Sequence, residues 1–278
     1  MNQATLRRPW RFEGVGLHTG QNARVEVRPA APNSGLTFVL GSVRVPATAE
    51  YVTDTSRATA LGRDGATVST TEHLLSALFA MGVSNADVHV EGPEIPVRDG
   101  SSAEFAQAIA EIGLDEQPAR RTTLSVAAPF VAQSGDRLVA VLPSHEFRVR
   151  FVADFAAPIG TQYYALVVQP QGYREEIAAA RTFGYLHEVE ALRARGLALG
   201  GSLDNALVFA PEGPLQPLRW PNEVVRHKIL DLIGDLALLG AWPLCEIVAI
   251  KSGHELHAIV TRALRKRTEP VAASPQAR

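Results

Sequence analysis

One order of sequence patterns occurs twice along the chain, and this repeat constrains the fold more than any other feature. In the first half, alternating segments typical of strands precede a helical segment at 70–81, followed by the strand-like ADVHVEG and a second helix, SAEFAQAIAEIGL. In the second half, the strand-like TTLSVAAPFVA, RLVAVLP and FRVRFVADF come first, and the helical EVVRHKILDLIGDL leads into CEIVAIK and ELHAIVTRALRKR. A distant duplication of strands, helix, strand, turn and helix is therefore predicted.

The repeat predicts an α+β fold of two similar domains. RATALG and ATVST flank an Asp-Gly pair, which is typical of a tight hairpin. The polar, proline-containing DEQPARRTT at 115–123 is typical of a linker. We place the domains at 1–118 and 119–268, and we expect residues 269–278 to be a disordered tail. Two such layers packed together would leave a site in the cleft between them, with the first turns of the two central helices facing a common centre.

Composition excludes several kinds of protein. Of 278 residues, 46% are hydrophobic and 20% are charged, which is enough apolar material for a core. The net charge of -2 provides no basic field for nucleic acid. Cys245 is the only cysteine, so any metal must be held by His, Asp or Glu. There is no signal-like start and no run of about 18 apolar residues, and we expect a cytoplasmic monomer without a transmembrane segment.

The helical segment EVVRHKILDLIGDL, residues 223–236, carries polar residues opposite its apolar face. The apolar face contains Val225, Ile229, Leu232, Ile233 and Leu236. The opposite stripe recurs every four residues and contains Glu223, His227, Asp231 and Asp235. A solvated face is one interpretation of this stripe, and a polar site inside the protein is the other. Glu223 is expected only to interact favourably with the helix dipole in the first turn.

The first-half helix begins STTEHLLSALFAMG and has two interpretations. Ser69 and Glu72 fit a capping box, in which the acid reaches back to the amide of the cap residue. His73 is harder to explain in this way, because the positive end of the helix dipole disfavours a charged imidazole. A neutral imidazole bound to a metal meets no such objection.

Three of these residues form a plausible metal-binding set. His227 and Asp231 are spaced i, i+4, so both can hold one ion, and His73 would add a third ligand from the other half. Two histidines, one carboxylate and water make a catalytic zinc set, and Glu72 could serve as the base. The sequence has no H-E-x-x-H motif, nucleophile elbow or P-loop. It therefore favours a mononuclear metal hydrolase over other single alternatives.

Seven segments of the sequence stand out together: GVGLHTG, STTEHLLSALFAMG, EIPVRDGSSAEF, ARTFGYL, RGLALGGS, VVRHKILDLIGDL and KSGHELH. In their order and spacing they resemble the UDP-3-O-acyl-N-acetylglucosamine deacetylases, and the resemblance extends from about residue 5 to residue 265. These zinc enzymes catalyse the committed step of lipid A synthesis in Gram-negative bacteria. The resemblance implies two α+β domains in a layered β-α-α-β sandwich, each with a small insert, and an apolar passage for the acyl chain of a UDP-linked amino sugar.

By this resemblance, one Zn²⁺ per chain, or Fe²⁺ in the cell, is bound by His73, His227 and Asp231. Glu72 matches the general base of the family, and His254 matches its general acid.

The resemblance assigns further residues to catalysis. Lys228 and Thr182 match residues near the developing oxyanion. Asp235 matches the carboxylate that orients the catalytic histidine, and Phe183 matches an aromatic residue that contacts substrate.

Other positions are implied to contact the acyl chain or the nucleotide. The segment RTFGYLHEVEALRARGLALGGS matches the passage insert, with wall positions at Val189, Ala198, Gly201 and Ser202. Lys251 matches a contact to the nucleotide phosphates, although a surface lysine at a strand end is the alternative. Further candidates on the nucleotide side are Arg137, Asp154 and Phe155. His18 is either a substrate contact or a turn residue satisfied by backbone groups.

The sequence departs from the family at a few positions. Ala157-Pro158 stands where many members have His-Pro, and Arg57-Ala58 stands where some have cysteine or leucine near the metal. His187 and His257 are expected to be ordinary helix residues. Two other functions stay open: a zinc amidohydrolase acting on another N-acyl nucleotide sugar, and a catalytically silent binder of nucleotide-linked lipid.

Overall fold

The computed structural model describes residues 1–267 and the backbone of 269–270. Its first half contains ten strands and two α-helices. Strands, a helix, a strand and a helix follow one another in the order that the repeat predicts, and one further strand comes after them. The elements are β1 Asn2–Leu6, β2 Trp10–Val15, β3 Asn22–Pro29, β4 Leu36–Leu40, β5 Val43–Pro46, β6 Val52–Asp54, β7 Ala60–Arg63, β8 Ala66–Val68, α1 Glu72–Ala80, β9 Ala86–Glu91, α2 Ala103–Ile112 and β10 Leu114–Arg120.

The second half, as far as it is described, contains ten strands and four α-helices. They are β11 Thr123–Ser125, β12 Phe130–Ser134, β13 Arg137–Pro143, β14 Arg148–Asp154, β15 Thr161–Val167, α3 Pro170–Glu176, β16 Phe183–Tyr185, α4 Val189–Ala194, β17 Leu207–Ala210, β18 Gly213–Pro214, α5 Glu223–Ala237, β19 Trp242–Ile250, α6 His254–Arg267 and β20 Glu269–Pro270. Short 3-10 helices lie at Ala49–Tyr51 and Leu186–Glu188.

Each half has one main sheet. The first has the order β2-β3-β9-β4-β5, and in the second β19 pairs with β13, β14 and β11. Each half also carries a smaller three-stranded sheet, β6-β7-β8 in the first and β16-β17-β18 in the second. The predicted hairpin joins β7 to β8 through Asp64 and Gly65, which both have positive φ. The predicted two-domain α+β class is confirmed.

Two central helices join the halves. Every residue of α1 is buried, and all but two residues of α5 are buried, as expected for helices inside a layered fold. Gly234 allows their close approach, because a Cβ at this position would lie 2.1 Å from the carbonyl oxygen of Glu72. One hydrophobic cluster includes Val27 and Phe38 of the first sheet, Leu74 of α1 and Ile229 of α5. The first turn of α1 is therefore held against the polar stripe of α5.

Two local predictions are wrong. The expected linker at 115–123 is largely β10, which pairs antiparallel with β1. Its buried Gln117 accepts a hydrogen bond from Asn85 Nδ2 at 2.6 Å, and Pro118 is tolerated because the two-stranded pair has only edges. The expected strand TTLSVAAPFVA is two strands, because β11 pairs with β19 whereas β12 pairs with β13.

The predicted tail lies mostly outside the described residues. Its first two residues, 269–270, pair with β11, and 271–278 are not described. Among the described helices, none combines the length and apolar character needed to cross a bilayer.

Candidate active site and metal centre

Helices α1 and α5 bring the three predicted metal ligands together. The Nε2 of His227 lies 3.4 Å from Asp231 Oδ1, and the Nε2 of His73 lies 3.7 Å from the same oxygen. All three side chains are buried. At metal–ligand distances of about 2.0–2.2 Å, two ligands of a tetrahedral ion lie roughly 3.3–3.6 Å apart. The spacing of these atoms therefore fits one tetrahedral ion.

Both imidazoles are in the form that a ligand requires. Burial lowers the pKa of His73 to about 3, with a further contribution from His227. Burial also lowers the pKa of His227. The Nδ1 of His227 donates to the carbonyl oxygen of Ala180 at 3.0 Å. This bond fixes the tautomer, so that the Nε2 lone pair faces Asp231.

Asp231 provides a charged oxygen to this cluster. Burial by itself would raise the pKa of Asp231, but Lys228, His227 and His254 outweigh it and hold the pKa well below its usual range. Lys228 Nζ donates to Asp231 Oδ2 at 2.7 Å, which leaves Oδ1 toward the two histidines. Two neutral nitrogens and one carboxylate oxygen suit zinc, and they also suit iron.

Glu72 is not a cap residue. Helix α1 has Thr71 at its N-cap without a side-chain cap bond. Glu72 Oε2 instead accepts a hydrogen bond from Thr59 N at 3.0 Å, so the capping-box interpretation is wrong. Burial raises the pKa of Glu72 to about 7, and Asp231 adds to the rise while His254 opposes it. The carboxyl group can therefore take up or release a proton near neutral pH.

His254 lies at the start of α6, facing Glu72. Its Nε2 is 4.0 Å from Glu72 Oε1 and 4.0 Å from Asp231 Oδ2. Its Nδ1 donates to Asp235 Oδ2 at 2.8 Å. Burial would lower the pKa of His254, but Asp235 outweighs this effect, so that the pKa rises to about 9. At neutral pH the ring is thus charged, with Nε2–H directed toward the cluster.

Three residues around Asp235 were not anticipated from the sequence. Thr59 Oγ1 donates to Asp235 Oδ1 at 2.5 Å. His257 Nδ1 lies 2.7 Å from Asp235 Oδ2, and its Nε2 lies 2.9 Å from Ser252 Oγ. The expectation that His257 is an ordinary helix residue is wrong, because the ring is fully buried in this network. The i, i+3 spacing of the two histidines on α6 was the signal that could have shown it.

A cavity of about 370 Å³ opens beside this cluster. Glu72, His73, His227, Asp231 and His254 line it, and so do Thr182 and Phe183. The four predicted wall positions also line it, namely Val189, Ala198, Gly201 and Ser202. The lining also includes the apolar side chains of Leu17, Leu186, Leu192, Leu203 and Val208. The cavity therefore joins the polar cluster to an apolar space under the insert.

His18 lines the same cavity, and its loop is fixed by hydrogen bonds to the buried carboxylate of Glu94. The carboxylate of Glu94 is fully buried and accepts bonds from His18 N at 3.0 Å and Thr19 N at 2.8 Å. It also accepts a bond from Thr70 Oγ1, just before α1. The carbonyl oxygen of His18 accepts a hydrogen bond from Leu199 N at 3.1 Å. The loop thus links the start of α1 to the insert.

The predicted nucleotide-side residues lie outside the lining of this cavity. Lys251 Nζ contacts Asp154 at 2.7 Å and Asp136 at 3.0 Å, and it is partly exposed. Arg137 bonds to Glu255 at 3.2 Å. Phe155 alone reaches the cavity indirectly, because its ring packs edge-on against Phe183, with centroids 5.1 Å apart.

The departures from the family pattern fall in different places. Arg57 lines the cavity, with Nη1 3.7 Å from Glu188 of the insert, and Ala58 is buried next to Thr59. Ala157-Pro158 is a cis peptide in the loop after β14, outside the cavity lining.

The polar stripe of α5 is not a solvated face. Its four members, Glu223, His227, Asp231 and Asp235, are each no more than 3% exposed. Glu223 is also more than a first-turn acid, because it accepts bonds from Arg181 Nε at 2.8 Å and from Arg219 N at 2.6 Å.

Comparison with known proteins identifies the family. A profile of the UDP-3-O-acyl N-acetylglycosamine deacetylases matches residues 3–266. Proteins named UDP-3-O-acyl-N-acetylglucosamine deacetylase are similar over nearly the full chain. The one from Syntrophotalea carbinolica is 46% identical over 270 residues, covering 94% of this chain and 87% of the relative. Those from Myxococcus xanthus and Phenylobacterium zucineum are each 44% identical, covering 95% and 97% of this chain and 86% and 95% of the relatives. This chain therefore belongs to the UDP-3-O-acyl N-acetylglycosamine deacetylase family.

Proposed function

We propose that this protein hydrolyses the N-acetyl group of UDP-3-O-acyl-N-acetylglucosamine, giving UDP-3-O-acyl-glucosamine and acetate, the committed step of lipid A biosynthesis. One observation carries the proposal. A single cavity combines a buried His-His-Asp cluster, an acid with a pKa near 7 and a charged histidine with an apolar space. The polar part suits an amide, and the apolar part suits the acyl chain on the neighbouring sugar oxygen.

The proposed metal is Zn²⁺, with Fe²⁺ as the alternative in the cell, and the family consists of metalloenzymes. His73, His227 and Asp231 would hold it. When bound, such an ion supplies Lewis acidity, which polarises a carbonyl group and makes water a better nucleophile near neutral pH.

The acid–base chemistry is assigned to two side chains. Glu72 accepts a proton from the attacking water, and its pKa of about 7 suits that task. His254 then donates the proton on Nε2 to the departing amine, which is a poor leaving group until it is protonated. Asp235 accepts the bond from Nδ1–H and keeps the ring oriented. Lys228 and the hydroxyl of Thr182 are proposed to stabilise the negative charge that develops on the carbonyl oxygen when water attacks the carbonyl carbon.

Substrate binding is divided between two regions. The cavity walls at Val189, Ala198, Gly201 and Ser202 would contact the acyl chain, with Phe183 and His18 nearer the sugar. The nucleotide is assigned to the area around Lys251, whose contacts with Asp154 would have to rearrange, and to Arg137 and Phe155. The monomeric state and the cytoplasmic location expected from the sequence stay predictions.

Acetate release from UDP-3-O-acyl-N-acetylglucosamine tests the proposal directly. Turnover should be abolished by a chelator and restored by added zinc. UDP-N-acetylglucosamine without the acyl chain is the matched control, and it should react far more slowly because it leaves the apolar space empty. Equal rates on the two substrates would favour action on another N-acyl nucleotide sugar. Tight binding without acetate release by the metal-loaded protein would favour a silent binder.

A further inference from the structure

The carboxylate of Asp235 is shared by more groups than the proposed mechanism uses. Its Oδ2 lies 2.8 Å from His254 Nδ1 and 2.7 Å from His257 Nδ1, while its Oδ1 accepts from Thr59 Oγ1. We propose that His257, held in one tautomer by Ser252, is a positioning residue that fixes the Asp235 carboxylate for its bond to His254. This inference rests on the proposed function, in which His254 is the acid.

The partners of His257 define its tautomer. A carboxylate oxygen only accepts hydrogen bonds, so Nδ1 of His257 must carry a proton. In the neutral ring Nε2 is then an acceptor, and the Ser252 hydroxyl donates to it across 2.9 Å. Burial lowers the pKa of His257, and the ring of Phe151 packs edge-on against it, with centroids 6.4 Å apart. The ring is therefore neutral, with one fixed donor.

This donor restrains the carboxylate from a second direction. With Thr59 on one oxygen and His257 on the other, rotation of Asp235 about its last torsion would break at least one buried hydrogen bond. A buried polar atom that loses its partner costs about 1–3 kcal/mol. The lone pair of Oδ2 therefore stays directed at His254. Because His257 does not line the cavity, its effect should fall on the chemical step and not on substrate binding.

The test compares two replacements of His257 in the metal-loaded protein. His257→Asn places an amide nitrogen where ring Nδ1 stands, whereas His257→Leu has similar bulk and no donor. We expect kcat to fall about 10-fold or more in the Leu variant, with KM and bound metal unchanged. The Asn variant should recover most of kcat. Thr261→Val is the control: it deletes the buried hydrogen bonds from the Thr261 hydroxyl to the backbone carbonyl oxygens of His257 and Asp235. It leaves the side-chain bonds between His257, Asp235 and His254 in place, so kcat should be unchanged.

Proton NMR of the zinc-loaded protein provides an independent readout. The Nδ1–H groups of His254 and His257 should each give a low-field exchangeable signal, and His257→Leu should remove one and shift the other. If the Leu variant does not fold, Ser252→Ala decides, because it removes the donor that fixes the tautomer and should lower kcat and broaden one low-field signal. Equal kcat values for the His257→Leu and His257→Asn variants, or an unchanged kcat in the Ser252→Ala variant, would overturn the role of His257 and leave the proposed function standing. A wild-type protein that releases no acetate overturns the proposed function as well.

Discussion

Replacing Glu223 with alanine tests the structure at the start of α5. The Glu223 side chain is 0% exposed, and that of its partner Arg181 is 12% exposed. The carboxylate accepts from Arg181 N at 3.1 Å, Arg181 Nε at 2.8 Å, Arg181 Nη2 at 3.1 Å and Arg219 N at 2.6 Å. The substitution would therefore leave a buried guanidinium and two backbone amides without their acceptor.

The expected loss of stability follows from the burial of Glu223 and Arg181. A first-turn acid that interacts only with the helix dipole contributes about 0.3–1 kcal/mol. Breaking a buried ion pair by removing one partner costs about 3–5 kcal/mol, because the remaining charge is left uncompensated. We expect Glu223→Ala to lower the free energy of unfolding by about 3–5 kcal/mol. At roughly 2–4 °C per kcal/mol, Tm should fall by about 6–20 °C.

Guanidinium unfolding followed by tryptophan fluorescence measures the loss, together with a thermal scan. The matched control is Glu104→Ala. Glu104 also lies in the first turn of a helix and also pairs with an arginine, Arg98, at 2.7 Å, but its side chain is 49% exposed. This control should cost at most about 1 kcal/mol. Equal losses in the free energy of unfolding for the two variants would contradict the destabilising effect assigned to the burial of Glu223.

Three further outcomes are expected. Asp231→Ala should lose bound zinc and acetate release together, whereas Asp235→Asn should keep zinc and lose kcat. Elemental analysis and the acetate assay distinguish the two variants, and zinc loss in both would contradict the role of Asp235 in orienting His254. The pH profile of kcat/KM should be bell-shaped, because Glu72 gains its charge as pH rises through about 7 and His254 loses its charge as pH rises through about 9. The His254→Gln variant should lack the basic limb. A fully active His254→Gln variant that keeps this limb would reject His254 as the general acid. Glu94→Gln places an amide NH₂ group, itself a donor, among the backbone N–H donors of a fully buried site. It should therefore lower the free energy of unfolding by about 1–3 kcal/mol and raise KM. An unchanged Tm and KM would contradict the link that Glu94 makes between the His18 loop and the insert.

Local features could be predicted from the sequence because their geometry depends on neighbouring residues only. The i, i+4 spacing of His227 and Asp231 sets their proximity on any α-helix. The Asp64-Gly65 turn follows from the positive φ that both residues tolerate. The doubled order of strands and helices depends on hydrophobic periodicity, and the structure has this order. The identities of the remaining site residues came from the resemblance of seven segments to one family.

Only the tertiary structure decided how distant residues meet. Nothing local places His73 beside Asp231; the approach of α1 to α5 at Gly234 does so. Ser69 and Glu72 have the sequence pattern of a capping box, yet the Glu72 carboxylate accepts its hydrogen bond from the backbone N–H of Thr59.

The same cause explains the other errors. β10 has the polar composition of a linker, but pairing with β1 and burial of Gln117 make it a strand. The spacing of His254 and His257 places both on one face of α6, but their common partner Asp235 belongs to α5. Glu223 begins α5, and its partner Arg181 lies in a separate segment of the chain. A hydrogen bond between separate elements depends on packing, and packing is a property of the whole chain, so no short window of sequence contains it.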